Sequence, residues 1–156
     1  MNKQNTDTLY ERFPHLYRER NAPLKNSKMA WGFQCEDGWY KILYDMSKRI
    51  TKISNDTDHA AAITEIDRHE DGTLKIEIRN LSPSVDMVVT RAREQSRLTC
   101  EYCSYSPAHI RTNGRHTKGH ITCGRCVKRL EGSTKPGSAR RRKKPLRPPD
   151  TIIVKR

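Results

Sequence analysis

Two Cys-x2-Cys pairs, Cys100/Cys103 and Cys123/Cys126, stand 19 residues apart, and no other feature limits the possible folds of this chain as tightly. A two-residue gap lets both sulfurs of a pair face one point, so four thiolates spaced this way can close a tetrahedron around a single ion. Soft sulfur donors favour zinc or an iron–sulfur cluster over hard cations, and one structural Zn2+ is the expectation. Unligated thiols and a disulfide pair are the competing readings. The 19 intervening residues suit two short strands and a turn, so residues 99–131 are expected to form a zinc ribbon.

Composition makes a metal staple sensible. Of 156 residues only 33% are hydrophobic, with two Trp and two Phe. A core with so few large anchors is small, and metal-binding energy adds directly to folding energy. No run of about 18 apolar residues is present to span a membrane. The first 20 residues are polar and lack the apolar stretch of a secretory signal. Four of five cysteines in metal spacing fit a reducing compartment, so a cytoplasmic location is expected.

The net charge of +13 is unevenly distributed. Residues 1–98 carry 16 Lys/Arg against 15 Asp/Glu, a net of +1, whereas residues 99–156 carry 15 against three, a net of +12. A neutral body with a basic end points to a polyanionic partner, most often nucleic acid.

Along the chain, residues 1–28 read as an N-terminal arm in which Tyr10, Phe13, Leu16 and Tyr17 offer a short apolar face interrupted by Pro14. Residues 29–98 read as an α+β body. Asp37 is a candidate N-cap for a helix over 38–53, whose stripe Trp39, Leu43, Met46, Ile50 and Ile53 steps at helical spacing. The tryptophans beside it are read as core rather than as a ligand site, and Cys35 as a small buried thiol with no base to activate it. Ile63–Arg68 and Thr73–Arg79 flank His69-Glu70-Asp71-Gly72 and predict a β-hairpin. The acidic residues Glu65, Asp67, Glu70 and Asp71 are expected at a solvated tip. Ser82-Pro83 starts a second helix over about 83–97 that runs straight into Cys100. The fold class expected is therefore α+β: two helices and a hairpin, then a zinc ribbon, then a disordered basic tail over residues 132–156.

Between the cysteine pairs, residues 109–111 and 120–122 are candidate strands. His109, His116 and His120 are read as surface groups, because four cysteines already fill a tetrahedron. Arg111, Arg115 and Lys118 make this loop cationic, and Arg125, Lys128 and Arg129 in and after the second pair are further candidate contacts. Beyond it come Arg140, Arg141, Arg142, Lys143, Lys144 and Arg147 among prolines, a composition that forbids a packed core and grips phosphate without reading sequence. The apolar Thr151–Val154 could add as a strand to an exposed sheet edge.

Taken together, Trp31-Gly32-Phe33-x-Cys35-x-Asp37-Gly38-Trp39, the hairpin at Asp71-Gly72, and Gln95-Ser96-x3-Cys100-Glu101-x-Cys103 with Cys123-x2-Cys126 resemble a group of small phage and prophage proteins. The likeness covers residues 10–131 and leaves out the basic tail. It implies a setting, the bacterial host cytoplasm during phage infection, and no particular activity.

Three functions compete. One is a non-enzymatic accessory protein that binds DNA or RNA, largely non-specifically, through its basic C-terminal half. Another is an interaction factor that docks on a host nucleic-acid-handling or defence complex. The third is a zinc-supported nuclease, invited by His109, Asn113 and His116 lying between the cysteine pairs. It lacks an Asp-His pair, a second Asn…His helix and a carboxylate cluster for Mg2+, and four cysteines leave zinc no open position. No membrane or small-molecule substrate is implied.

Overall fold

The computed structural model describes residues 1–57, 60–106, 109–110 and 119–132. The fold is α+β. Helix α1 (Lys3–Arg12) is followed by short 3-10 turns, then by α2 (Tyr40–Thr57), the antiparallel strands β1 (Ala62–Arg68) and β2 (Leu74–Arg79), and α3 (Pro83–Leu98). Two-residue strands β3 (His109–Ile110) and β4 (Ile121–Thr122) pair antiparallel, and α4 (Gly124–Gly132) closes the described chain. Among the described residues no helix is long and apolar enough to cross a membrane.

The predicted stripe of α2 forms the centre of the core. Trp39, Leu43, Met46 and Ile50 are buried and Ile53 packs at the edge. The hairpin covers it with Ile63, Ile66, Leu74 and Ile76, in a register that sets Ile66 opposite Ile76. Gly72 takes φ +82° where the turn requires a left-handed residue, and Asp71 Oδ1 accepts from the backbone N–H and hydroxyl of Thr73. Helix α3 begins as the sequence predicts, with the Ser82 side chain accepting from Val85 N–H and Pro83 at its first position. It buries Val85, Val89 and Ala92.

Trp31, Asp37 and Glu65 differ from the sequence reading, and Trp31 is exposed where core was expected. Residues 1–28 contain a helix and pack on the body: Leu9, Phe13, Leu16 and Tyr17 join Met29 in the same cluster, with Tyr17 and Phe33 rings in edge contact. Pro14 falls just after α1 ends, so it interrupts nothing. Asp37 does not cap the helix that follows it. Its Oδ1 accepts from the backbone N–H of Asn2 (2.8 Å) and from the Asn5 side chain (3.0 Å), tying α1 to the body. Glu65 is buried rather than solvated, bridging Lys28 and Lys75 at 3.0 Å each.

Candidate metal centre

The four cysteine sulfurs all lie within 4.8 Å of one another, close enough to hold a metal ion. A tetrahedral ion with sulfur bonds near 2.3 Å requires sulfur–sulfur edges of about 3.8 Å. Cys103 and Cys123 sulfurs stand at 3.5 Å, and all five cysteines of the chain are free of disulfides. The donor set therefore fits a thiophilic ion in type and in size.

Two different local structures deliver the pairs. Cys100 and Cys103 sit on a tight knuckle in which Ser104 N–H donates to Cys100 O, Cys100 N–H donates to Tyr105 O, and Ser104 adopts φ +62°. Cys123 and Cys126 belong to the start of α4, with Val127 N–H donating to Cys123 O as the first helical bond. The sequence reading places strands only between the pairs; after Cys123 the chain forms a helix that extends to Gly132. A helix N-terminus favours thiolate, because its free N–H groups and dipole face the sulfur. Burial opposes charge on Cys123, but the backbone N–H of Cys126 and the neighbouring thiols outweigh it and bring this thiol down to about 7. Burial and the adjacent sulfurs push Cys126 the other way, well above its ordinary value. A thiol must lose its proton to ligate a metal, so a cation bound here would favour the thiolate forms.

Directly behind the knuckle lies Glu101, whose importance sequence reasoning missed. Its side chain is 0% exposed, yet it is fully engaged. Oε1 accepts from Arg68 (2.7 Å) and from Glu36 N–H (3.1 Å), while Oε2 accepts from His120 Nδ1 (2.8 Å). Its backbone N–H donates to Ile121 O, and its carbonyl accepts from Gly38 N–H at 2.6 Å. His120 is thus a partly buried partner of Glu101 and not the surface group its sequence position suggests. The side chains of His109 and His116 lie outside the described residues.

The segment around Gly38 is shaped to receive this junction. Trp39 Nε1 donates to Thr99 O (2.9 Å), and Ser104 Oγ donates to Gly38 O (2.8 Å). A Cβ on Gly38 would fall 2.2 Å from Cys100 O and 2.4 Å from Glu101 O, so only glycine permits the approach. At the other side, the hairpin tip reaches the module: a Cβ on Gly72 would lie 2.8 Å from the Gly119 carbonyl carbon. Cys35, buried nearby, has its thiol pushed up to about 12, chiefly by burial, which leaves it inert at neutral pH.

Of the predicted basic contacts, Arg125, Lys128 and Arg129 lie exposed on α4. Arg111, Arg115 and Lys118 lie outside the described residues, as do Arg140, Arg141, Arg142, Lys143, Lys144, Arg147 and the Thr151–Val154 segment. The signal that could have flagged Glu101 was compositional: it is one of three acidic residues in a segment carrying 15 basic ones. No family model, curated protein or solved structure matches this chain.

Proposed function

We propose that this is a non-enzymatic, zinc-stapled accessory protein that binds nucleic acid through its basic C-terminal half, acting in a bacterial host cytoplasm during phage infection. The observation that carries this reading is the charge asymmetry, +1 over residues 1–98 against +12 over residues 99–156. Charge so placed releases counterions from a polyanion and gives affinity without sequence reading. Zinc is the ion assigned because four thiolates offer a closed tetrahedron with no open position, which suits a structural site and not a catalytic one. Its role is to hold the module that presents Arg125, Lys128 and Arg129.

The test is binding of duplex and single-stranded DNA by the full chain and by a version ending at Gly132, at low and near-physiological salt. Steep salt dependence, reduced sharply by truncation, supports the reading. Absence of binding by either form near physiological salt rejects it.

A second reading is docking on a host nucleic-acid-handling or defence complex, with the body as the contact. Trp31, 58% exposed on the neutral body, favours it, because an exposed indole is a common anchor in protein interfaces. Nuclease-resistant co-purification with one host protein, lost in Trp31→Ala, distinguishes it from the first.

A further inference from the structure

A groove of about 560 Å³ runs between the knuckle and α4, bordered by the candidate metal ligands Cys103 and Cys123 and lined beyond them by Tyr105, Arg125, Val127 and Lys128. Tyr105 is unusual within it. Its backbone is pinned by the bond from Cys100 N–H, yet its ring is left 52% exposed. The metal knuckle therefore holds an aromatic face in a set position without using it as core. The Arg125 guanidinium stands over the ring, 6.0 Å from its centroid, at the outer limit of cation–π attraction. Lys128, one turn along α4, adds a second exposed cation to the same groove.

An exposed aromatic ring beside cations is an arrangement by which proteins hold unpaired nucleotides: the base stacks and the phosphates pair with the charges. Duplex bases are stacked internally and cannot offer a face to a ring held in a groove. We propose that this groove is a single-strand contact, with one base stacked on Tyr105 and the adjoining phosphates on Arg125 and Lys128. The proposal rests on the nucleic-acid reading and adds to it a site, a strandedness and a residue, Tyr105, that charge alone does not single out.

The experiment uses the full chain loaded with zinc and a fluorescein-labelled oligo-dT, followed by anisotropy across a salt series. Tyr105→Ala is expected to weaken binding about tenfold with the salt slope unchanged, and Tyr105→Phe to bind as the unmodified chain does. Arg125→Ala is expected to lower the slope by about 0.7. In a parallel arm, an oligonucleotide carrying 5-iodouracil is irradiated on the unmodified chain and the crosslink is expected at Tyr105. Full-strength binding by Tyr105→Ala, with crosslinks mapped elsewhere, overturns the groove while leaving nucleic-acid binding standing. Equal loss on duplex and on oligo-dT overturns the single-strand assignment. No binding by the unmodified chain near physiological salt defeats the groove and the underlying reading together.

Discussion

The body and the cysteine module solve the problem of a small interior in different ways. Residues 1–98 bury large side chains from every element, among them Leu9, Tyr17, Trp39, Leu43 and Ile50. In the described part of the module the buried apolar side chains beside the cysteines are Ile121 and Val127, which are too few to offset the entropy of ordering two strands and a helix. One region is held by apolar burial, whereas the other brings together four cysteines close enough to hold a metal ion. Glu101 and Gly38 join them, so the two are separable in energy source but continuous in structure. The lesson is that a region with little core can still be tied to its neighbour by a buried ion pair, here Arg68–Glu101.

Metal removal should break the comparison most completely. A strong chelator, or Cys103→Ser at the exposed ligand, is expected to abolish hydrogen-exchange protection at the Glu101 and Val127 amides. The Ile63 amide, bonded to Leu16 O, should stay protected. Structural zinc supplies about 10–16 kcal/mol to small domains, so the loss should be essentially complete. Identical exchange and melting with and without chelator would refute a structural ion.

Next in size is Glu101→Gln, which keeps the shape and removes the charge facing Arg68 and His120. Disruption of a buried ion pair costs about 3 kcal/mol or more. Denaturant unfolding should shift accordingly, and the body and module transitions, followed by separate probes, should move apart. A single coincident transition at the original midpoint would mean the junction does not couple the two regions.

Gly38→Ala sharpens the point. Its Cβ meets module backbone, not a flexible side chain, so a cost of about 2 kcal/mol is expected in the metal-loaded protein. The same substitution should cost much less after metal is stripped and the module no longer presses on the site. An equal cost in both states would place the strain within the body.

The smallest effect belongs to the body alone. Hydrogen bonds from Lys75 and Lys28 outweigh the burial that opposes charge on Glu65 and hold its carboxyl below its ordinary value. A depressed folded pKa stabilises fully above the unfolded value of about 4.3 and is lost as pH falls through the folded value. Glu65→Gln should therefore cost about 1 kcal/mol at neutral pH, and the difference from the unmodified chain should close in acid. Melting across pH 2–7 reads this directly, and the exchange of the module amides should not change.

Much of this was legible in local pattern. The cysteine spacing, the stripe of α2, the hairpin and the Ser82-Pro83 start of α3 are each encoded within a few neighbouring residues, and the structure places them where they were expected. What escaped depends on contacts between distant segments. Glu101 reads as a spacer inside a Cys-x2-Cys pair until Arg68 and His120 are brought to it. Asp37 has the residue type of a cap, and only the proximity of Asn2 and Asn5 redirects its oxygen. The residues after Cys123 offer no capping sequence of the usual kind, and their helix starts from a cysteine of the candidate metal cluster.

The meeting of Gly72 with Gly119 bears on how the chain can be altered. Exposed hairpin turns are ordinarily where inserted residues, tags and new termini are tolerated. Here the turn is a spacer of fixed length, wedged backbone to backbone against another segment. Lengthening it by even one residue would push the module away from the body, so a label or a permuted terminus is best placed elsewhere.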